Sequence, residues 1–311
     1  MAPPALPHEI VLMEAQRAMR LHHMLWHTSR NAWLRLTPAQ RQPFKAIGWE
    51  PPRPALDADR RPILDNDSGE DFLFMHHEMI EGVNAKLAQI ADPTYPKVVG
   101  WSTFPAPGDA DYPVPPAYPV GTAQQNADLA RIKSDAFFDD GFRPQEQKFE
   151  DPQFLSTVSM GAMGALVEFT VHNWAHQRWS VKPAAFRPNP SPADPTAVDP
   201  AFDDPSYDWL GDFYSSHVNA VFWKLHGWVD ARIDAWKAAN GVIGEYKWTG
   251  TWSGPPGMHD HDHHHMPAVP PPGAPGAVAD AERLLTVAGE ANLNASPLDA
   301  VDPDWVELAV R

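Results

Sequence analysis

His172 and His176, in the stretch EFTVHNWAHQRW, stand four residues apart in an otherwise apolar, helix-like run. Residues at i and i+4 share one face of a helix, so both imidazoles point the same way. The same spacing recurs at His23 and His27 in LHHMLWH. Each pair is followed by a single histidine on another helix-like segment, His76 after 49 residues and His226 after 50. The segments around the single histidines also repeat. Phe72 to Ala85 and Phe222 to Ala235 both read Phe, three residues, His, six residues, an aliphatic residue, Asn or Asp, then Ala.

Three imidazoles from two helices make a ligand shell for a borderline transition metal, and two facing shells would make a dinuclear centre. All-nitrogen ligation suits copper or zinc better than magnesium, calcium or manganese. Di-iron helical sites rely on Glu and Glu-x-x-His contributions, which are not seen at these positions. A catalytic zinc with three histidines needs no duplicate. Two equal sets therefore point to a copper pair. The plain alternative is histidines satisfied by hydrogen bonds in an ordinary core.

These residues resemble the type 3 copper proteins, the family of tyrosinases, catechol oxidases and haemocyanins, and bacterial members in particular. HNWAH, 172 to 176, is similar to the family's His-Asn-x-x-His motif. VFWKLHGWVD, 221 to 230, resembles Phe-x-x-His-His-x-x-Val-Asp, with His226 at the ligand position, Leu225 in place of the first histidine and Asp230 on the motif's Asp. FLFMHH, 72 to 77, resembles Phe-Leu-x-Trp-His-Arg, with His76 as the ligand and His77 as the fallback. A typical tyrosinase carries a further histidine nine residues earlier, where this chain has Asp67. His23 and His27 would fill that gap, an arrangement closer to arthropod haemocyanins. The resemblance spans roughly residues 20 to 240, more strongly in the second half.

The resemblance implies two copper ions held by His23, His27, His76 and His172, His176, His226. It implies O2 as co-substrate and the hydroxylation or oxidation of phenols, catechols or ortho-aminophenols to quinones. Asn173 matches a position that helps hold a water for phenol deprotonation, with Glu168, one turn before His172, as the candidate acid beside it. Asp230, four residues after His226, is expected to hold that ring or a neighbouring one. His22 competes with His23 and His27 for two positions, because it projects closer to the centre of the first helix's apolar face. The competing functions are a haemocyanin-like O2 carrier without turnover and a His-ligated zinc hydrolase.

The elements that must position these residues are long helices. The pattern predicts helices over about 8–36, 70–91, 156–179 and 215–239. Pro-rich loops separate them at 37–68, 92–126 and 181–206. Strand-like alternation is scarce, so the expected fold is mainly α, an antiparallel four-helix bundle around the metals. Residues 1–250 form the expected catalytic domain. Residues 251–276 read as a His/Pro-rich linker, and 277–311 as a tail with a short helix over 278–291. The tract His259, His261 and His263 to His265 suggests self-loading with copper, or a delivery partner, as readily as an incidental linker.

Bulk properties bound the rest. A formal net charge of −16, from 40 acidic and 24 basic residues, argues against a nucleic-acid backbone as partner. The absence of cysteine rules out disulfides, thiolate metal sites and thiol nucleophiles. No signal peptide or spanning apolar run is seen, which predicts a cytoplasmic protein without membrane contact; export alongside a partner stays open.

Overall fold

The computed structural model describes residues 5–188 and 198–255, and within them the protein is helical, with one isolated bridge between Leu56 and Pro62 and no strand. Four elements carry the candidate site: α1 (Arg17–Ala32), α2 (Ser68–Ile90), α3 and α4 (Ala220–Ala239). Two α-helical pieces, Met160–Val167 and Asn173–Trp179, make up α3, joined by a π-helical turn at Glu168–His172. The short helix expected over 278–291 and the His259–His265 tract lie outside the described residues. The packed body runs past residue 250, since Ser253 and Trp252 are bonded to α1 and α2.

Several boundaries differ from the sequence expectation, each for a local reason. The helix expected over 8–36 breaks into His8–Glu14 and α1, with Gln16 extended between them (ψ 136°). Buried Arg20 takes the Ala15 carbonyl at 2.9 Å and reaches the carbonyls of Tyr207 and Asp204 at 2.9 and 3.0 Å. Inside the stretch expected to be loop, Pro38–Ala46 is helical. Thr37 caps it, Gln40 returns the bond to the Thr37 N–H, and Pro38 sits where no donor is needed. α4 begins at Ala220, where the Asn219 side chain accepts from the Val221 N–H, after a 3-10 turn at Ser216–Val218.

The side-chain pairings give the helix directions. Arg30 lies against the Ser68 carbonyl, while His23 and His27 lie against His76, so α1 runs antiparallel to α2. His172 and His176 meet His226 and Phe222 in reverse order, so α3 opposes α4. Between the two pairs, α2 and α3 share one chain sense: Asp67 lies by Gly161, Gly69 by Gly164, and His76 by His172. A Cβ on Gly69 or Gly164 would overlap the other helix's backbone. Glycine at both positions therefore sets how closely the two histidine-bearing helices approach.

One hydrophobic core runs from Leu6 to Ile233 and includes Trp26, Phe72, Phe213 and Phe222 around the histidines. Between Arg20 and Ala32, α1 is buried almost all round. An element with no solvent face does not reveal which of its sides meets a neighbour.

Candidate metal centre

The six histidines expected as ligands come together in the interior, each at most 3% exposed. The ring nitrogens of His23, His27 and His76 lie within 4.8 Å of one another, and so do those of His76, His172 and His226. His172 Nε2 is 3.1 Å from His226 Nε2 and 3.2 Å from His176 Nε2. His172, His176 and His226 are thus linked through His172, and His76 belongs to both triplets and joins the two groups. His22 is set apart. Its Nε2 meets the Ser253 carbonyl at 2.6 Å and its ring packs near Trp49, so the competition on α1 resolves to His23 and His27.

The proton positions on these rings separate a metal site from an ordinary polar core. His23 Nδ1 donates to the Phe213 carbonyl (2.6 Å), His76 to Phe72 (2.8 Å) and His172 to Glu168 (3.1 Å). His176 Nδ1 donates to Leu210 (2.9 Å) and His226 Nδ1 to Phe222 (2.8 Å). A carbonyl only accepts, so each of these five rings carries its proton on Nδ1 and turns a bare lone pair inward from Nε2. The close Nε2 pairs among His172, His176 and His226 are then acceptor against acceptor, which is repulsive without a cation between them. Two nitrogens on one tetrahedral ion at ~2.0–2.1 Å lie about 3.3 Å apart, close to the spacings seen.

Nε2 of His23, His27 and His76 also has no hydrogen-bond partner. A buried acceptor left unmade costs about 1–3 kcal/mol, and domains are stable by only about 5–15 kcal/mol. Three such atoms in one place are too expensive to serve stability alone. Burial holds every ring neutral, as a metal ligand must be. It lowers His23 to about 4 and His176 to about 3, and drives His27, His76, His172 and His226 well below the usual imidazole value. The residues present fit a pair of transition-metal ions.

The Phe-x-x-x-His repeat has a structural cause. Phe72 and Phe222 each supply the carbonyl for the histidine one turn later, and their rings pack on it at 4.5 and 3.6 Å. The loop 210–213 does a related job at long range, holding one ring from each set through Leu210 and Phe213. Asp212 steadies that loop by accepting from the Tyr214 N–H and by a two-bond pairing with Arg187.

Two expected roles are corrected. Asp230 holds neither His226 nor another ligand: it accepts from His77 Nδ1 at 2.7 Å in a half-exposed pair. One turn along the helix from His226 it faces α2's outer side, while the Phe222 carbonyl takes the His226 proton. His77 is part-exposed and lies outside both histidine triplets, and Asp230 raises its pKa. Glu168 is not a free acid beside Asn173, because Arg30 takes both its oxygens at 2.7 and 3.1 Å. Asn173 is buried at the start of the second piece of α3.

Two neighbours were missed in the sequence. Phe213 lies flat on His27, ring centres 4.2 Å apart and planes 7° from parallel. His217 packs edge-on to His23 at 4.8 Å, donates Nε2–H to the Glu14 carbonyl and leaves Nδ1 unpartnered. Both sit in the irregular stretch before α4, where no periodicity marks them. Trp252 stacks on Trp26, which in turn packs edge-on to His27. No protein-family model matches the chain, and a search of curated proteins returns no relative.

Proposed function

We propose that this protein is a tyrosinase-like dicopper oxidase that uses O2 to hydroxylate or oxidise phenols, catechols or ortho-aminophenols to quinones. The observation that carries the proposal is the convergence of bare Nε2 lone pairs, fixed by five Nδ1–carbonyl bonds: His23, His27 and His76 form one triplet, and His172 lies 3.1 and 3.2 Å from His226 and His176. His23, His27 and His76 would hold one ion, and His172, His176 and His226 the other. When bound, the pair would supply two one-electron centres that reduce O2 together while a phenol or catechol is oxidised. Neutral nitrogen donors suit an ion that cycles between one and two positive charges, whereas carboxylate-poor surroundings favour neither magnesium nor manganese.

The chain's own contribution is orientation and dryness. Carbonyls of Phe72, Glu168, Phe222, Leu210 and Phe213 hold five imidazoles at fixed angles, so little reorganisation is needed when charge moves. Phe72, Phe213 and Phe222 exclude water from the centre. Asn173, next to His172, would orient a water or phenol hydroxyl.

The flat cover of Phe213 over His27 favours a second reading, reversible O2 binding without turnover. Oxygen consumption by copper-loaded protein with catechol decides between them. Sustained uptake with quinone formation supports the oxidase; reversible binding of O2 without consumption supports the carrier. Full activity with zinc in place of copper contradicts both.

A further inference from the structure

Five of the six imidazoles hand their Nδ1 proton to a backbone carbonyl, and His27 is the exception. Its Nδ1 faces Glu168 Oε1 at 3.9 Å, beyond hydrogen-bond reach, and among the described residues no carbonyl accepts from it. We infer that Glu168 is the positioning residue of His27, and that through it the two metal positions are tied together and made unequal. The inference rests on the dicopper reading and specifies its asymmetry.

Glu168 serves both sets at once. Its carbonyl accepts from His172 Nδ1 in the second set, and its carboxylate faces His27 in the first. It opens the π-helical turn, in which Thr170 departs from helical angles (φ −116°, ψ −105°). Such turns inside α-helices recur at functional sites, because the extra residue re-aims the side chains around it. Arg30, three residues after His27 on α1, clamps both carboxylate oxygens and also donates to the Ser68 carbonyl at 2.7 Å. One guanidinium thus fixes α1 against the start of α2 and the π turn of α3, with the acid held beside His27.

The other imidazoles face neutral carbonyls, while His27 faces an anionic oxygen. At 3.9 Å the carboxylate acts on the ring through its charge, which makes the imidazole a stronger donor; where such a partner is lost from behind a ligating imidazole, metal affinity falls roughly 10–100-fold. The His23–His27–His76 position is therefore the tighter of the two for a doubly charged ion. Glu168 acts on the metal through His27 and does not touch substrate.

Copper(II) titration of the full metal-free chain against a competing chelator tests this. Wild-type protein should bind two ions with separable constants. Glu168→Gln, which keeps the shape and loses the charge, should weaken the tighter one roughly 10–100-fold and leave the other within about threefold. In protein given one equivalent, the electron paramagnetic resonance spectrum should change in His27→Ala, as the ion moves to the other position, and stay as in the wild type in His176→Ala. This second measurement stands even if Glu168→Gln fails to fold. Wild-type uptake of fewer than two ions would overturn the dicopper reading itself. Two ions bound, with constants unchanged in Glu168→Gln or weakened equally at both positions, overturns the role of Glu168 alone. A one-equivalent spectrum that is unchanged in His27→Ala and altered in His176→Ala overturns it as well.

Discussion

An imidazole's second nitrogen decides what the first can do, and five carbonyls make that choice in this core. The residue-level consequence is sharp at α1. His23→Ala should cost one metal ion per chain, whereas His22→Ala, whose ring meets Ser253 and Trp49, should leave metal content unchanged. Metal analysis of the two variants checks this, and a loss of metal in His22→Ala would reverse the assignment. His226→Ala should lose its ion and all oxygen consumption. His172, His176, His76 and His226 were legible in the sequence because spacing and motif agree there. The choice between His22 and His23 was not, since α1 is buried almost all round and its apolar face marks no direction. Asp230 misled for a related reason: one helical turn from His226 placed it correctly on α4 but not on the side that faces the metals.

At the scale of elements, the long helices could be read from apolar periodicity, and what joins them could not. The π turn in α3 has no composition signal, and it places Glu168 between the two sets. The helix Pro38–Ala46 did carry a signal, Thr-Pro-x-Gln, which the surrounding prolines masked. The crossing of α2 and α3 depends on Gly69 and Gly164, where each Cβ would meet the opposite backbone rather than a movable side chain. Gly164→Ala should therefore destabilise the fold by about 1–3 kcal/mol, as overpacking does, and weaken metal binding by moving His172 away from His76. Urea denaturation and a metal titration measure the two effects. An unchanged unfolding midpoint would show that the helices yield without cost.

Among the described residues the fold buries seven histidines whose charged form it disfavours: His23, His27, His76, His172, His176, His217 and His226. Above about 6.5 the rings are neutral in folded and unfolded chains alike. Below it the unfolded chain takes up protons that the folded core refuses, until His23 titrates near 4 and His176 near 3. The stability these rings contribute to the metal-free protein should thus be full above pH 6.5 and fall steadily toward pH 4, by about 3 kcal/mol for His23 alone. Glu14, raised to about 8 by burial, works in the opposite sense between 4.5 and 8, and Glu146, Glu168 and Asp208, also raised by burial, act in that sense too. A thermal melting series from pH 6.5 down to 4 checks the direction, and a melting point that rises on acidification across that range would contradict it.

Bound metal supplies the cation between the facing lone pairs, so loading should raise the melting temperature and shift the acid loss downward. The composition excluded thiolate chemistry, and the histidine spacing exposed the two sets. The loop 210–213 and the Glu168–Arg30 clamp are long-range features that only the folded chain reveals. The most direct measurement is copper content per chain after loading the metal-free protein and removing excess metal. Two tightly held ions per wild-type chain, falling to one in both His23→Ala and His176→Ala, is the result expected of two three-histidine sets. One ion or none in the wild-type chain, or two retained in both variants, would contradict it.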